Sequence, residues 1–560
     1  MNSKVLYLAL GVALLGTTSC SKKLGEFQSD YFNTTPTPLE TVGLNVPATI
    51  TANIPAKFMV KNAKVTATPV LEYAGGSVQG TPVTIQGEKV RANGQVVSYD
   101  NGGTVNIPFN TAYKPEMAES DLYLDFQVDQ NGKLYGLPRV KVANGIIATS
   151  TLANAGTVQP AIAADKFQRV INDKYTADIR FLINQAVIRK NQVDAADYVS
   201  LNDQLKAAQE AANKEVAGIN IASYASPDGT YAFNEALAEK RENVTTKFME
   251  NQLKKDKITE FGELTSSFTP EDWEGFQELV SKSNIQDKDL ILGVLKMYKD
   301  PEQREKEIRN LSGVFNELAD QILPQLRYSK IQASINTIGK SDAEMIELFK
   351  TDPSKLSEEE ILYTATLSDN AANKEQVYAK ATQLYPNSYR AWNNLGMAEY
   401  ELGKYADAAQ AFAKAKKLDP SSKEVDMNLG LCDLLNGNYS KANELLGAAA
   451  GVPEASDALG VYYLTQGEVA KANNAFGNAK TNNAALAKIL SKDYSAATSV
   501  LNAVKNPDAM TYYLAAIVAA RTNNESGVMS NLRKAISMDS SLLQQAQQNL
   551  EFANYNLSSL

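Results

Sequence analysis

Trp392-Asn-Asn-Leu-Gly396, followed by Gly403, Tyr405, Ala408, Phe412, Ala415 and Pro420, sets out a pattern of small and large residues that returns downstream. The second pass reads Leu429-Gly430, Gly437, Tyr439, Ala442, Leu446 and Ala449; the third reads Leu459-Gly460, Tyr463, Gly467, Ala472, Phe476 and Ala479. A weaker pass covers Tyr494, Ala497 and Leu501, and another runs from Tyr512 to Met538. Upstream, Tyr378, Ala381 and Pro386 close a first unit expected to begin near Glu358. Self-similarity at a fixed period means stacked supersecondary units. Gly and Ala at helix crossings allow close approach, and large residues fill the layer between hairpins, so no unit is stable without its neighbours. The recurring residues therefore read as core, with no ligand role. Leu542 to Tyr555, rich in Gln and Asn, reads as a solvating cap.

This pattern resembles the tetratricopeptide repeat family. The resemblance implies an all-α solenoid over residues 340–560, whose concave face holds a segment of a protein partner.

Further upstream, Ile221-Ala-Ser-Tyr-Ala-Ser-Pro-Asp-Gly-Thr-Tyr-Ala-Phe-Asn-Glu-Ala-Leu-Ala-Glu-Lys-Arg241 places a strand, a turn and a helix in succession. On Tyr224, Gly229, Asn234, Leu237 and Arg241 the stretch resembles the wall-binding core of the OmpA C-terminal family. The resemblance implies an α/β domain over residues 165–338 that contacts peptidoglycan. In that family an Asp and an Arg clamp the zwitterionic diaminopimelate of the stem peptide, carboxylate to ammonium and guanidinium to carboxylate. Here Ser226 stands where the family has its Asp, with Asp228 two residues on, so Ser226, Asp228, Asn234 and Arg241 are the candidate ligand-contacting residues. Read without the resemblance, Asp228-Gly229 is a turn and Arg241 a solvated helix residue.

The expected β-α-β-α order is a strand at 177–183, a helix at 198–213, a strand at 218–224 and a helix at 231–252, closed by a strand at 326–335. An insertion at about 258–323 is expected to be helical. Pro270-Glu-Asp-Trp-Glu-Gly-Phe276 is a helix start, and Glu271, Asp272 and Glu274 fit acids at a helix N-terminus better than a catalytic pair.

Residues 43–155 alternate apolar and polar side chains in Lys64–Tyr73, Thr104–Phe109 and Leu122–Val128. Gly75-Gly76, Asn93-Gly94, Asn101-Gly102-Gly103 and Asn131-Gly132 punctuate them as hairpin turns. An antiparallel β-sandwich is expected. Residues 20–42, with Pro36, Pro38 and a Thr-rich run, read as an anchor and stiff linker.

Met1-Asn-Ser-Lys4 and the apolar run Val5 to Gly16 make residues 1–19 a signal peptide, too short to span a membrane. Ser19-Cys20 resembles a lipobox, with Cys20 as the lipid attachment residue and Thr17 departing from the usual Leu. A lipid anchors without a spanning helix; lipoproteins similar to this one that travel to the outside of the cell often carry an acidic cluster after the Cys, so the resemblance, with the basic Ser-Lys-Lys here, implies the periplasmic face of the outer membrane. Net charge −9 and pI near 5.1 argue against nucleic acid. With no histidine and two cysteines, Cys20 and Cys432, the chain lacks His-based triads and the usual zinc sites. No catalytic residue, cofactor or metal is expected. The composite expectation is a non-enzymatic tether or assembly scaffold; the alternative is an accessory lipoprotein that captures glycan or peptide beside an outer-membrane transporter.

Overall fold

The computed structural model describes residues 23–285, 287–310 and 312–560. The signal peptide and Cys20 lie outside the described residues. The chain divides into two compact units: the sequence through Ala164 together with Ser368–Leu560, and Asp165–Leu367.

The sheet-rich N-terminal region of the first unit follows from period-two burial. Ala48–Ile54 and Gly103–Phe109 bury every second side chain, and with Phe32–Thr35 they form a three-stranded antiparallel sheet. A larger sheet runs in the order Lys133–Asn144, Ser120–Gln130, Ala63–Tyr73, Val83–Gly87, Gln95–Val97. The two share one core, where Ile50, Ile107 and Phe109 meet Val65, Leu71, Leu124 and Val128. Each such fully buried side chain contributes about 1.5–3 kcal/mol. Asn131 (φ 56°) and Gly132 (φ 80°) both occupy the left-handed region that a two-residue hairpin of this twist demands.

Two expectations need correction. The sheets are not wholly antiparallel: Gln95–Val97 pairs parallel to Val83–Gly87, and Ile146–Ile147 parallel to Leu39–Glu40. Nor is 20–42 a linker throughout. Leu24, Phe27 and Leu39 are buried, Phe32–Thr35 is a strand, and Phe27 stacks on Phe126 at 4.4 Å. The aromatic side chains preceding the prolines have a core to enter, and that outweighs the local turn chemistry.

From Ala371 onward the first unit is a stack of helical hairpins. These are Tyr389–Glu401 with Tyr405–Leu418, Lys423–Leu435 with Tyr439–Ala448, Ala455–Thr465 with Val469–Phe476, Asn482–Leu490 with Tyr494–Asn502, and Ala509–Arg521 with Glu525–Met538. A Cβ on Gly396 would meet Phe412 at 2.8 Å, one on Gly430 would meet Leu446 at 2.8 Å, and one on Gly460 would meet Phe476 at 2.5 Å. The small residue is what lets each pair of helices close. Ser388, Ser422 and Thr481 cap the first helix of their hairpins through their hydroxyls. The expected opening helix Glu358–Thr366 belongs instead to the other unit, where Glu360 pairs with Lys340 at 2.8 Å and Tyr363 stacks on Phe167 at 4.5 Å. The expected terminal cap is a helix only over Leu542–Gln548, followed by short turns. It is not merely solvating, because Leu542, Ala546 and Phe552 are buried.

Sheets and hairpins of the first unit touch closely. A Cβ on Gly43 would stand 2.4 Å from the Thr465 carbonyl oxygen, and Arg521 bridges Glu40 at 2.8 Å and Glu551 at 2.6 Å.

The second unit holds a four-stranded sheet in the order Val170–Arg180, Tyr328–Ile338, Lys214–Tyr224, Glu263–Thr269, with only the last pair parallel. Helices Ala196–Glu210 and Tyr231–Lys255 pack Leu201, Leu205, Met249 and Leu253 onto Ile179, Ile219, Ile221 and Ile331. The insertion is not all helical, since Glu263–Thr269 supplies an edge strand. Its four helices, Trp273–Lys282, Lys288–Met297, Pro301–Asn310 and Ser312–Gln321, surround a core of their own with Phe276, Val280 and Ile291. Among the described residues no helix is long and apolar enough to cross a membrane.

Candidate peptide-binding groove

Three asparagines recur at one position of the hairpin stack. Asn394, Asn428 and Asn483 each sit two residues before the small residue of the helix crossing: Gly396, Gly430 and Ala485. All three are buried, on helices whose inward faces are largely apolar. A buried carboxamide needs both a donor and an acceptor partner, and each finds them on the main chain of a single distant residue. The Ala163 N–H donates to Asn394 Oδ1 at 2.9 Å, and Asn394 Nδ2 donates to the Ala163 carbonyl at 3.0 Å. Asn428 repeats the exchange with Ala161 at 2.7 Å in both directions. Asn483 repeats it with Asn154 at 2.9 Å in both directions.

The segment so held, residues 154–163, joins the N-terminal sheets to the second unit. Apart from the short turn Ala155–Thr157 it has no secondary structure of its own. Ala155, Val158 and Ala161 enter the core of the hairpins. Tyr400 Oη donates to the Ala155 carbonyl at 2.9 Å, and burial drives the Tyr400 phenol pKa upward. Asn393 Nδ2 donates to the Ala161 carbonyl at 3.0 Å, and Asn428 Nδ2 donates to Asn393 Oδ1 at 3.0 Å, so the amides form one network. A Cβ on Gly156 would lie 2.5 Å from Tyr405 Oη, which explains glycine there. Gln159 bonds to Glu401 at the rim. In the third hairpin Ala458 takes the asparagine's position, and Pro160, which has no N–H, lies in the stretch of segment between Asn154 and Ala161. The groove thus holds an extended protein segment by its main chain, and the segment is this chain's own.

The residues expected to hold a wall ligand lie in the second unit and behave differently. Arg241 is not a solvated helix residue, and its guanidinium is not presented for a ligand. It is fully buried, donating from Nε to the Gln185 carbonyl at 3.1 Å, from Nη1 to Tyr224 at 2.8 Å and from Nη2 to Leu182 at 3.4 Å. Burial, aided by the like charge of Arg327 and opposed by Asp228, lowers its pKa to about 10. Ser226 donates to Asp228 at 2.9 Å, and both engage Arg327: Nε reaches Ser226 at 3.1 Å and Nη2 reaches Asp228 at 2.9 Å. Asn234 donates to the Gly229 carbonyl at 3.1 Å and to Glu271 at 3.3 Å, so it closes the turn. Asp272 caps helix Trp273–Lys282 through the Gly275 N–H at 2.9 Å, and Glu271 accepts from the Trp273 indole at 2.9 Å. These acids do the work of a helix start. Among the described residues no cluster of His, Cys, Asp and Glu is arranged to hold a metal, and burial pushes the Cys432 thiol up to about 12.

Asn393 and Asn394 stand within the repeat pattern whose residues read as core, while Asn428, Asn483 and Arg327 belong to no motif of the sequence. The usable signal is an amide recurring two residues before the small residue of the helix crossing.

The tetratricopeptide repeat family matches residues 389–422, the hairpin that carries Asn393 and Asn394. The chain is similar to a tetratricopeptide repeat protein from Parabacteroides merdae at 14% identity, over 37% of this chain and 91% of that one, with TM-score 0.30. It is similar to pilF of Pseudomonas aeruginosa at 16% identity, over 38% and 99%, with TM-score 0.28. Yeast Tom70 is similar at 13% identity, over 59% and 61%, with TM-score 0.26. No curated protein matches the chain. The C-terminal region is a helical repeat array of the tetratricopeptide type, on the strength of the family match and the hairpin packing.

Proposed function

We propose that this protein is a non-enzymatic interaction scaffold that binds an extended segment of a protein partner. The observation that carries this reading is the asparagine series: three side chains at one register of the stack, each satisfied by both main-chain groups of one residue in an extended segment. Main-chain recognition of this kind gives affinity, while the pockets beneath give selectivity. The sequence around Cys20 supports a lipid anchor on the periplasmic face of the outer membrane, which would concentrate scaffold and partner in one layer. The test is photo-crosslinking in cells from a photoreactive residue placed at Gln159, Ile162 or Glu401. A scaffold gives discrete heavier species from at least one position; the monomer alone from all three overturns the reading.

A second reading, peptidoglycan contact through the second unit, draws support from one feature. Asp228 and Arg327, a carboxylate and a guanidinium each partly reachable by solvent, stand side by side at the turn where the OmpA-like resemblance places a zwitterion clamp. Co-sedimentation of the chain from Ser21 onward with isolated peptidoglycan tests it. Binding lost in Arg327→Ala supports it, and no binding by the unsubstituted chain removes it.

A further inference from the structure

Residues 154–163 fill the groove that a partner would use, and the way they are held bears on how a partner gains entry. Their chief anchors are main-chain groups, so the asparagines would accept any extended chain that places an N–H and a carbonyl in the same register. What the groove selects is size. The buried side chains of the segment are Ala155, Val158, Pro160, Ala161 and Ala163, and Gly156 faces Tyr405. The outer side is open, with Asn154, Thr157, Gln159, Ile162 and Ala164 exposed, so no described residue of the first unit covers the segment from above. The grip is also interrupted midway, where Ala458 replaces the asparagine.

We propose that residues 154–163 are a built-in ligand of the groove, and that a partner binds by displacing them with a segment carrying small side chains where Ala155, Ala161 and Ala163 stand. This rests on the scaffold reading and adds its regulation. Tethering gives the built-in segment an effective concentration on the order of 1 mM. A free peptide of the same sequence with an intrinsic Kd of about 10 μM would then bind the intact chain about 100-fold more weakly than a chain whose own segment is expelled.

The experiment uses the chain from Ser21 onward and a fluorescent peptide of residues 153–165. In one protein the segment is expelled by the paired substitutions Ala161→Glu and Ala163→Glu, which leave every groove residue in place. The expected result is peptide binding to the substituted chain, about 100-fold weaker binding to the unsubstituted chain, and none by a peptide carrying the same two glutamates. Equal binding to both chains overturns the built-in ligand while leaving the groove as a peptide site. Absence of binding to a substituted chain with native circular dichroism and melting overturns the groove reading as well. Hydrogen exchange on the unsubstituted chain is an independent check. The Ala161 and Ala163 amides should exchange faster than those of helices Tyr389–Glu401 and Lys423–Leu435, and exchange only on global unfolding overturns displacement.

Discussion

Asn428 and Arg241 are both buried polar side chains that bind main-chain carbonyls, yet they define opposite kinds of site. Asn428 offers a donor and an acceptor to one residue of a segment far away in sequence, and that segment has solvent on its outer side. Arg241 offers only donors, to three carbonyls of the structural frame around it, and reaches no solvent. The first can exchange its partner for another chain of like geometry; the second cannot release its partners without leaving a buried cation and three carbonyls unpaired. A polar side chain in a family-like position is thus a binding residue only when its partner is replaceable.

The largest test of this contrast is Arg241→Ala. Removing a buried guanidinium that satisfies three carbonyls should destabilise the second unit by about 3–5 kcal/mol. The chain has two tryptophans, Trp273 in the second unit and Trp392 in the repeat array. Denaturation followed in a Trp392→Phe background should therefore show the loss. If Arg241→Ala kept full stability but altered peptidoglycan binding, the assignment of Arg241 to the frame would be wrong.

Asn428→Ala leaves the Ala161 N–H without its partner and should cost about 1–3 kcal/mol. The loss should appear as faster exchange at Ala161 and a lower repeat-array midpoint read from Trp392, with Trp273 unaffected. A change confined to Trp273 would break the comparison.

Glu399 sharpens it through pH. Burial, with Asp407 and Glu375 nearby and Lys404 opposing, raises its carboxyl pKa from 4.5 to about 7. A raised pKa means the folded state holds the proton more tightly, so this contribution is fully present below about pH 4.5 and is lost as pH rises through about 7. Glu399→Gln should remove that fall and stabilise the array by about 1 kcal/mol at pH 8, a value reduced for the solvent that reaches the group. A pH profile of the Trp392 transition that is identical in both proteins would contradict it.

The smallest effect belongs to Asp272→Ala, which removes the cap on helix Trp273–Lys282. It should cost about 1 kcal/mol, visible through Trp273, with no effect on the groove. A loss of activity in peptide binding from this change would tie the cap to the groove, contrary to its role as a local helix start.

The hairpins from Tyr389 to Met538 were legible because each relies on residues close in sequence: glycine where helices cross, a hydroxyl at the helix start, an aromatic in the next layer. The closing strand expected at 326–335, which runs over Tyr328–Ile338, followed from the resemblance; the strand expected at 218–224 and the helix at 231–252, which run over Lys214–Tyr224 and Tyr231–Lys255, were legible from the turn residues between them. The strand Phe32–Thr35 was not, since its fate depends on Phe126 and Ala52, which only the folded sheets bring near. The burial of Arg241 was not legible, because sequence records a charge at helical spacing and not whether backbone carbonyls converge upon it. By itself the sequence determined the repeat architecture, the exclusion of histidine chemistry and the α/β order of the middle unit, all set by local pattern. Tertiary structure alone decided what lies in the groove. Its ladder joins Asn394, Asn428 and Asn483 to main-chain groups hundreds of positions away, and main-chain groups are the same in every residue, so no side-chain pattern announces the pairing.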